Sequence, residues 1–265
     1  MYVDLHVHAA YCAVPFLDDL FFGVVRMNEG FLEGLKTRLS VQYSPGQGGQ
    51  GGHDLGHVLR MVHMYSELHT LVRDYVGPTV YQVTVWLHNA DRYPELVPNK
   101  DALESSLYAM LDGSDFDDVE KFNVVTAVKQ HGKYKDGPND SALLRMIRLA
   151  DKWDRIGYMG AIAGFAWRGN ELPAYNHDAP FGYGSTAEGS YTNLYQNLFR
   201  IMEWYADFPL IRELCVRHPW RFAHFLAFVR GFGKEIAYAH GVPNTVENDI
   251  EKCLGLYYDA WLPET

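Results

Sequence analysis

The sequence predicts an all-α protein, and three observations carry that expectation. From His57 onward, apolar residues recur at three- and four-residue steps in several separate segments. Residues of the helix-capping type stand just ahead of most of these segments. Finally, there is neither an internal repeat nor a regular alternation of strand-like and helix-like stretches.

Taken in order, residues 1–39 are mixed and mostly apolar, and they predict a helical or mixed N-terminal extension. Residues 44–52 (Ser-Pro-Gly-Gln-Gly-Gly-Gln-Gly-Gly) have the composition of a flexible linker, and no Gly-Lys-Ser/Thr follows to make them a phosphate loop. Val58, Met61, Val62, Tyr65, Leu68, Val72 and Tyr75 then mark one amphipathic helix with Asp54 as its N-cap. Residues 79–87 are β-branched and aromatic, and periodicity leaves both a strand and a fully buried helix open.

Asp117 and Glu120 form a capping-box pair ahead of Val119, Phe122, Val125 and Val128, and Asp140 or Ser141 caps a helix carrying Leu143, Leu144, Ile147 and Ala150. Residues 167–190 are rich in Gly, Pro, Asn and Asp and read as a long loop, often a functional feature. Leu194, Leu198, Ile201 and Tyr205 restart the helical pattern. Pro209 and Pro219 stand at helix starts, and a last helix follows Thr245. The expected division is an N-terminal extension over 1–45, a helical core over 46–240 and a C-terminal helix over 241–265.

Composition narrows the function. The chain has 265 residues, 48% hydrophobic and 21% charged, as globular proteins have. The net charge of −10 argues against long nucleic acid as a partner, because phosphate backbones demand clustered Lys and Arg. It leaves a small phosphorylated substrate open, since a metal and a few cations in a pocket can hold one phosphate. No run of about 18 apolar residues occurs, so no membrane span is expected. Three scattered cysteines and no visible secretory signal predict a cytoplasmic protein with free thiols. The composition leaves a homo-oligomer open.

Four short segments concentrate chemistry. In the first, His53, Asp54 and His57 share one helix face. His88, Asn89, Asp91 and Arg92 follow an apolar run. Lys129, His131 and Lys133 mark a helix end, and Asp151, Lys152 and Asp154 close the set. A catalytic divalent ion needs His and carboxylate ligands on rigid elements, with positions left open for water. His57, His88 and Asp151 come from three separate segments and suit that task. Lys129, His131, Lys133 and Lys152 are candidates to neutralise phosphate oxygens. The residues alone leave open that these groups are caps or surface side chains, and that His131 merely meets a helix dipole.

The order of these segments resembles the HD-domain superfamily, and more narrowly the YedJ-like small bacterial HD hydrolases. His53 to Val62 is similar to His-Asp-x-x-His-x-x-Arg-Val, with Met61 inserted before the valine. Trp86-Leu87-His88-Asn89 is similar to Leu-Leu-His-Asp, and Leu149 to Gly157 to Asp-Ala-Asp-Arg-Leu-Asp-x-Ile-Gly. The resemblance spans roughly residues 50–240 and implies an HD-domain helical bundle. It also implies hydrolysis of a small phosphorylated substrate, expected to be a nucleotide, by metal-activated water.

Carried over, the resemblance assigns His57, His88 and Asp151 as metal ligands. Asn89 stands where the family has the Asp of its His-Asp doublet, and Arg92 where an acidic residue is common. The cofactor is a divalent cation drawn from Mn, Mg, Fe, Ni, Co or Zn. Lys129, His131 and Lys152 are the expected phosphate-contacting catalytic residues. An asparagine oxygen can coordinate a cation but brings no charge. The alternative is therefore a catalytically impaired HD fold that binds nucleotide or metal. His53 and Asp54 are weighed as a pair orienting a ligand histidine, Arg60 as an ion-pair residue and His177 as a substrate contact. Asp91, two residues from Asn89, would point away on a helix. A further alternative rests on Asp4-Leu-His6-Val-His8, the spacing of the first metal motif in barrel-type metallohydrolases.

Overall fold

The computed structural model describes residues 22–44, 52–133, 136–169, 171–182 and 191–255, without the side chains of 22–27 and 204–207. Among the described residues there are twelve α-helices and no strand, as an all-α fold requires. They are α1 (Phe22–Tyr43), α2 (Leu55–His63), α3 (Tyr65–Val72), α4 (Pro78–Leu87), α5 (Leu103–Leu111) and α6 (Asp118–Gln130). Then come α7 (Ala142–Asp154), α8 (Tyr158–Arg168), α9 (Leu194–Asp207), α10 (Pro209–Arg217), α11 (Pro219–His240) and α12 (Val246–Leu254). The linker-like 45–51, the His6/His8 motif and Cys12 lie outside the described residues. A barrel of alternating strands and helices does not fit the described residues, which form helices and no strand.

The centre of the bundle is α4 against α2, α6 and α7, with α2 and α7 also packed on each other. α4 resolves the ambiguity over 79–87. Tyr81, Val83, Thr84, Val85, Trp86 and Leu87 are all buried, so the helix is apolar on every side and shows no stripe. Pro78 occupies its first turn, and the Thr84 hydroxyl donates to the Val80 carbonyl one turn back. Burial overrides the β-propensity of the valines here.

The segment expected as one helix from 57 to 75 is broken at Met64 into α2 and α3. The Met61 carbonyl at the break accepts both the Met64 amide and the hydroxyl of fully buried Tyr81. The bend thus supplies the acceptor that a buried phenol needs. α1 lies on α4. Its Leu35, Leu39 and Tyr43 join the same apolar core as α4, α7 and α9, and the Tyr43 hydroxyl donates to the Trp86 carbonyl.

The capping signals are seen in place. Asp54 accepts from the His57 amide, Asp117 and Glu120 form the reciprocal capping box, and Ser141 caps α7. Asp140 instead accepts the Gly137 amide and an ion pair from fully buried Arg148. After α7 the chain turns at Gly157, whose φ of 106° is costly for an L side chain. At Gly160 a Cβ would collide with the Arg155 carbonyl, so glycine is what lets α8 begin this close to the end of α7. The described part of the long loop, 171–182, is pinned by buried Asp249, which accepts from the Gly182 amide and the Tyr195 hydroxyl.

Candidate metal centre

Packing α2, α4 and α7 together brings His57, His88 and Asp151 to one point. All three are buried, and one donor atom of each lies within 4.8 Å of the others. His57 Nε2 is 3.1 Å from His88 Nε2 and 3.5 Å from Asp151 Oδ1. The other ring nitrogens explain what these atoms offer. His57 Nδ1 donates to the Asp154 carboxylate at 2.7 Å, and His88 Nδ1 donates to the Val85 carbonyl. In the neutral rings the hydrogen therefore sits on Nδ1, and both Nε2 atoms present lone pairs to each other. Two lone pairs at 3.1 Å repel unless a positive charge is shared between them. A cation bonded to each donor at about 2.1 Å answers that need, so the donor set fits a divalent metal.

Asn89 stands beside this point, 1% exposed. Its Nδ2 donates to His88 Nε2 at 2.8 Å, which covers the lone pair a cation would use. Exchanging the amide oxygen and nitrogen by a half-turn would offer an oxygen there instead. Asp154, not Asp54, orients His57: Asp54 is occupied as the cap of α2. Asp154 also takes a two-point ion pair from Arg60 at 2.7 and 2.9 Å and lies 3.8 Å from Arg221.

The carboxyl of Asp151 is buried, which alone would raise its pKa, but Lys152 at 3.1 Å, His57 and Arg155 hold it well below the usual carboxylate range. Asp154 is held low in the same way by His57 and Arg60. Burial pushes the imidazoles of His53, His88 and His131 down. Neighbouring cations reinforce this, Arg155 at His53 and Lys152 at His131, and Asp151 opposes it at all three rings. The unfolded chain protonates these rings near 6.5, while the folded chain keeps them neutral. Below that pH the unfolded state binds more protons, so stability falls on acidification, and above it this contribution is constant. For metal-free protein, the urea midpoint is expected to be flat above about pH 7 and to drop steadily below about pH 6. A midpoint unchanged down to about pH 5 would show that these rings are not buried neutral.

A cavity of about 250 Å³ adjoins Asp151. His131 and Lys152 line it, as do His53, Arg92, Arg155, Trp167, Arg168, Tyr191 and Arg200. His53 Nε2 accepts from Arg155 at 3.1 Å, which leaves the hydrogen on Nδ1. That buried donor has no acceptor among the described residues. Arg92 lies over the Trp167 ring at 5.1 Å. His131 Nδ1 donates to the Val128 carbonyl, so its Nε2 is a lone pair suited to accepting a proton.

Not every candidate converges here. Lys129 pairs with Glu104 and Lys133 meets Gln130, and neither lines the cavity. His177 packs against Tyr175 and His240. Asp91 sits 3.7 Å from Arg92 in a short 3₁₀ turn and is not part of the cation cluster. Among the residues the sequence did not flag, Arg155 carried a signal in its i,i+4 spacing from Asp151. Arg168 and Arg200 carried none, because α8 and α9 reach the cavity only through tertiary packing.

No protein-family model matches the chain, and no curated protein matches it. Among solved structures, a Lactobacillus plantarum structural-genomics protein superposes with a TM-score of 0.60 at 16% identity, covering 80% of this chain and 99% of that one. Bacillus subtilis YpgQ in complex with ADP gives a TM-score of 0.51 at 17% identity, covering 77% and 97%. YpgQ in a second structure gives 0.52 at 14% identity, covering 79% and 97%. The chain shares the fold of these proteins.

Proposed function

We propose that the protein is a metal-dependent phosphohydrolase of the HD-domain type, acting on a small phosphorylated substrate, a nucleotide in particular. The observation that carries this is the pair of opposed imidazole lone pairs beside the buried Asp151 carboxylate, which itself lines a cavity with cationic walls. The resemblance of the His53, His88 and Asp151 segments to HD motifs supports the family. The likeness in fold to YpgQ, solved with ADP, supports the nucleotide.

His57, His88 and Asp151 would hold the cation, with Asn89 completing the set through its amide oxygen. When bound, a divalent ion acidifies a water and polarises phosphate oxygens. The protein's own groups do the rest. Lys152 and Arg155 neutralise charge building on the phosphate, and His53 Nδ1 donates to one of its oxygens. His131 Nε2, kept neutral by burial, takes up a proton. Lys129 was the third expected phosphate contact; to serve, it would have to leave Glu104.

Loaded with Mn²⁺ and offered a panel of nucleotides and phosphomonoesters, the purified protein is expected to release phosphate or pyrophosphate, and EDTA should stop it. A second reading, binding without turnover, is favoured by the Asn89 amide donating into the cation position. Metal bound in full with no product from any substrate would establish that second reading.

A further inference from the structure

We propose that the divalent cation and a phosphate-bearing anion bind this centre cooperatively, with little cation held until the anion arrives, and that Asn89 enforces the coupling. The inference rests on the metal-centre assignment above and concerns how that centre fills.

Charge around the site points this way. Asp151 is the one anionic donor, and it is already engaged: Oδ2 is 3.1 Å from Lys152 Nζ and Oδ1 is 3.7 Å from Arg155 Nη2. Asp154, the next carboxylate out, faces Arg60 and Arg221. A carboxylate at position 89 would add a second anionic donor, but the amide adds no charge, and its NH₂ covers His88 Nε2. A dication arriving alone meets a site whose one charged donor among the described residues already faces Lys152 and Arg155.

The anion removes that obstacle. Lys152 and Arg155 both line the cavity, so a phosphate group seated there attracts the two cations that now hold Asp151. Arg168 and Arg200 also line it, but each carries a glutamate, Glu171 at 2.6 Å and Glu203 at 2.8 Å. Arg92 also lines the cavity, with Asp91 3.7 Å from its Nε, but of the cationic walls Lys152 and Arg155 are the two that face Asp151. With those two turned to phosphate, the Asp151 oxygens are released to the cation, and the added negative charge favours its entry. Linkage makes the effect mutual: whatever factor the anion adds to cation affinity, the cation adds to anion affinity.

The test is Mn²⁺ binding, read as the paramagnetic resonance signal of unbound Mn²⁺. It is run on the native chain with and without inorganic phosphate, with the Mn²⁺–phosphate complex measured separately. Phosphate is expected to raise the native Mn²⁺ affinity by about tenfold or more. Asn89→Asp is expected to bind Mn²⁺ without phosphate and to gain less from it. The native comparison needs no variant and decides the matter even if Asn89→Asp folds poorly. Native affinity that phosphate leaves unchanged, and that His88→Ala abolishes, would overturn the coupling while the metal centre stands. If neither protein binds Mn²⁺ under either condition, the metal centre and the coupling fall together.

Discussion

Replacing Asp154 by alanine is expected to destabilise the protein by about 3 kcal/mol and to lower metal affinity by about 10- to 100-fold. Its carboxylate, 1% exposed, accepts from His57 Nδ1 and from Arg60 at two points, with Arg221 close by. Truncation strips His57 Nδ1 and the two Arg60 nitrogens of their acceptor. Breaking a buried pair costs about 3–5 kcal/mol. The lower end applies because the Arg60 side chain is 31% exposed and can turn to water. The effect on metal has a separate cause. Without an acceptor at Nδ1, His57 can move its hydrogen to Nε2 and lose the lone pair a cation needs. Asp154→Asn, which retains an oxygen for His57, should recover more of the metal affinity than of the stability. Urea denaturation and Mn²⁺ titration of both variants check this. An alanine variant with native stability and native metal binding would show that Asp154 holds nothing in place.

The second large effect is on metal retention itself. His88→Ala and Asp151→Ala should each weaken Mn²⁺ binding, titrated with inorganic phosphate present, by about 100-fold or more. Structural zinc sites gain about 10–16 kcal/mol from roughly four ligands. One ligand is then worth about 3 kcal/mol, or about two decades of affinity. His88 contributes one of the two facing lone pairs, and Asp151 contributes the charge. Asp151→Ala also removes the carboxylate that Lys152 and Arg155 face, so part of its cost appears as lost stability. His88→Ala leaves those cations paired and is the cleaner test. Full metal stoichiometry in both folded variants would sink the assignment of the centre.

The sequence showed more of the chemistry than of its surroundings. Short-range rules were enough for the caps at Asp54, Asp117 and Ser141, because a cap and its recipient amide lie within one turn. An apolar face made α7 and α9 visible, but Leu107, Met110 and Leu111 of the short α5 were not singled out. α4 was ambiguous because burial on all sides erases the stripe, and the break at Met64 was invisible because its cause is Tyr81, from another helix. His57, His88 and Asp151 could be named together only through the order of motifs. The partner that orients His57 was missed: Asp54 is near in sequence, while Asp154 is 97 residues away. Lys129 was chosen for closeness to His131 along the chain, yet its side chain pairs with Glu104 on α5. Cavity walls assembled from α7, α8 and α9 leave no mark that single-sequence reading can find.

Within five consecutive positions near its end, α7 carries Asp151, Lys152 and Asp154, with Arg155 at its C-cap. Ligand, counter-charge and histidine anchor are thus locked to the rotational phase of a single rod. Inserting or deleting one residue between Ser141 and Leu149 would swing all four by about 100° at once. No compensating shift of α2 or α4 could follow all of them. Damage to this segment should therefore come all-or-none, whereas losses along the cavity rim would accumulate by degrees.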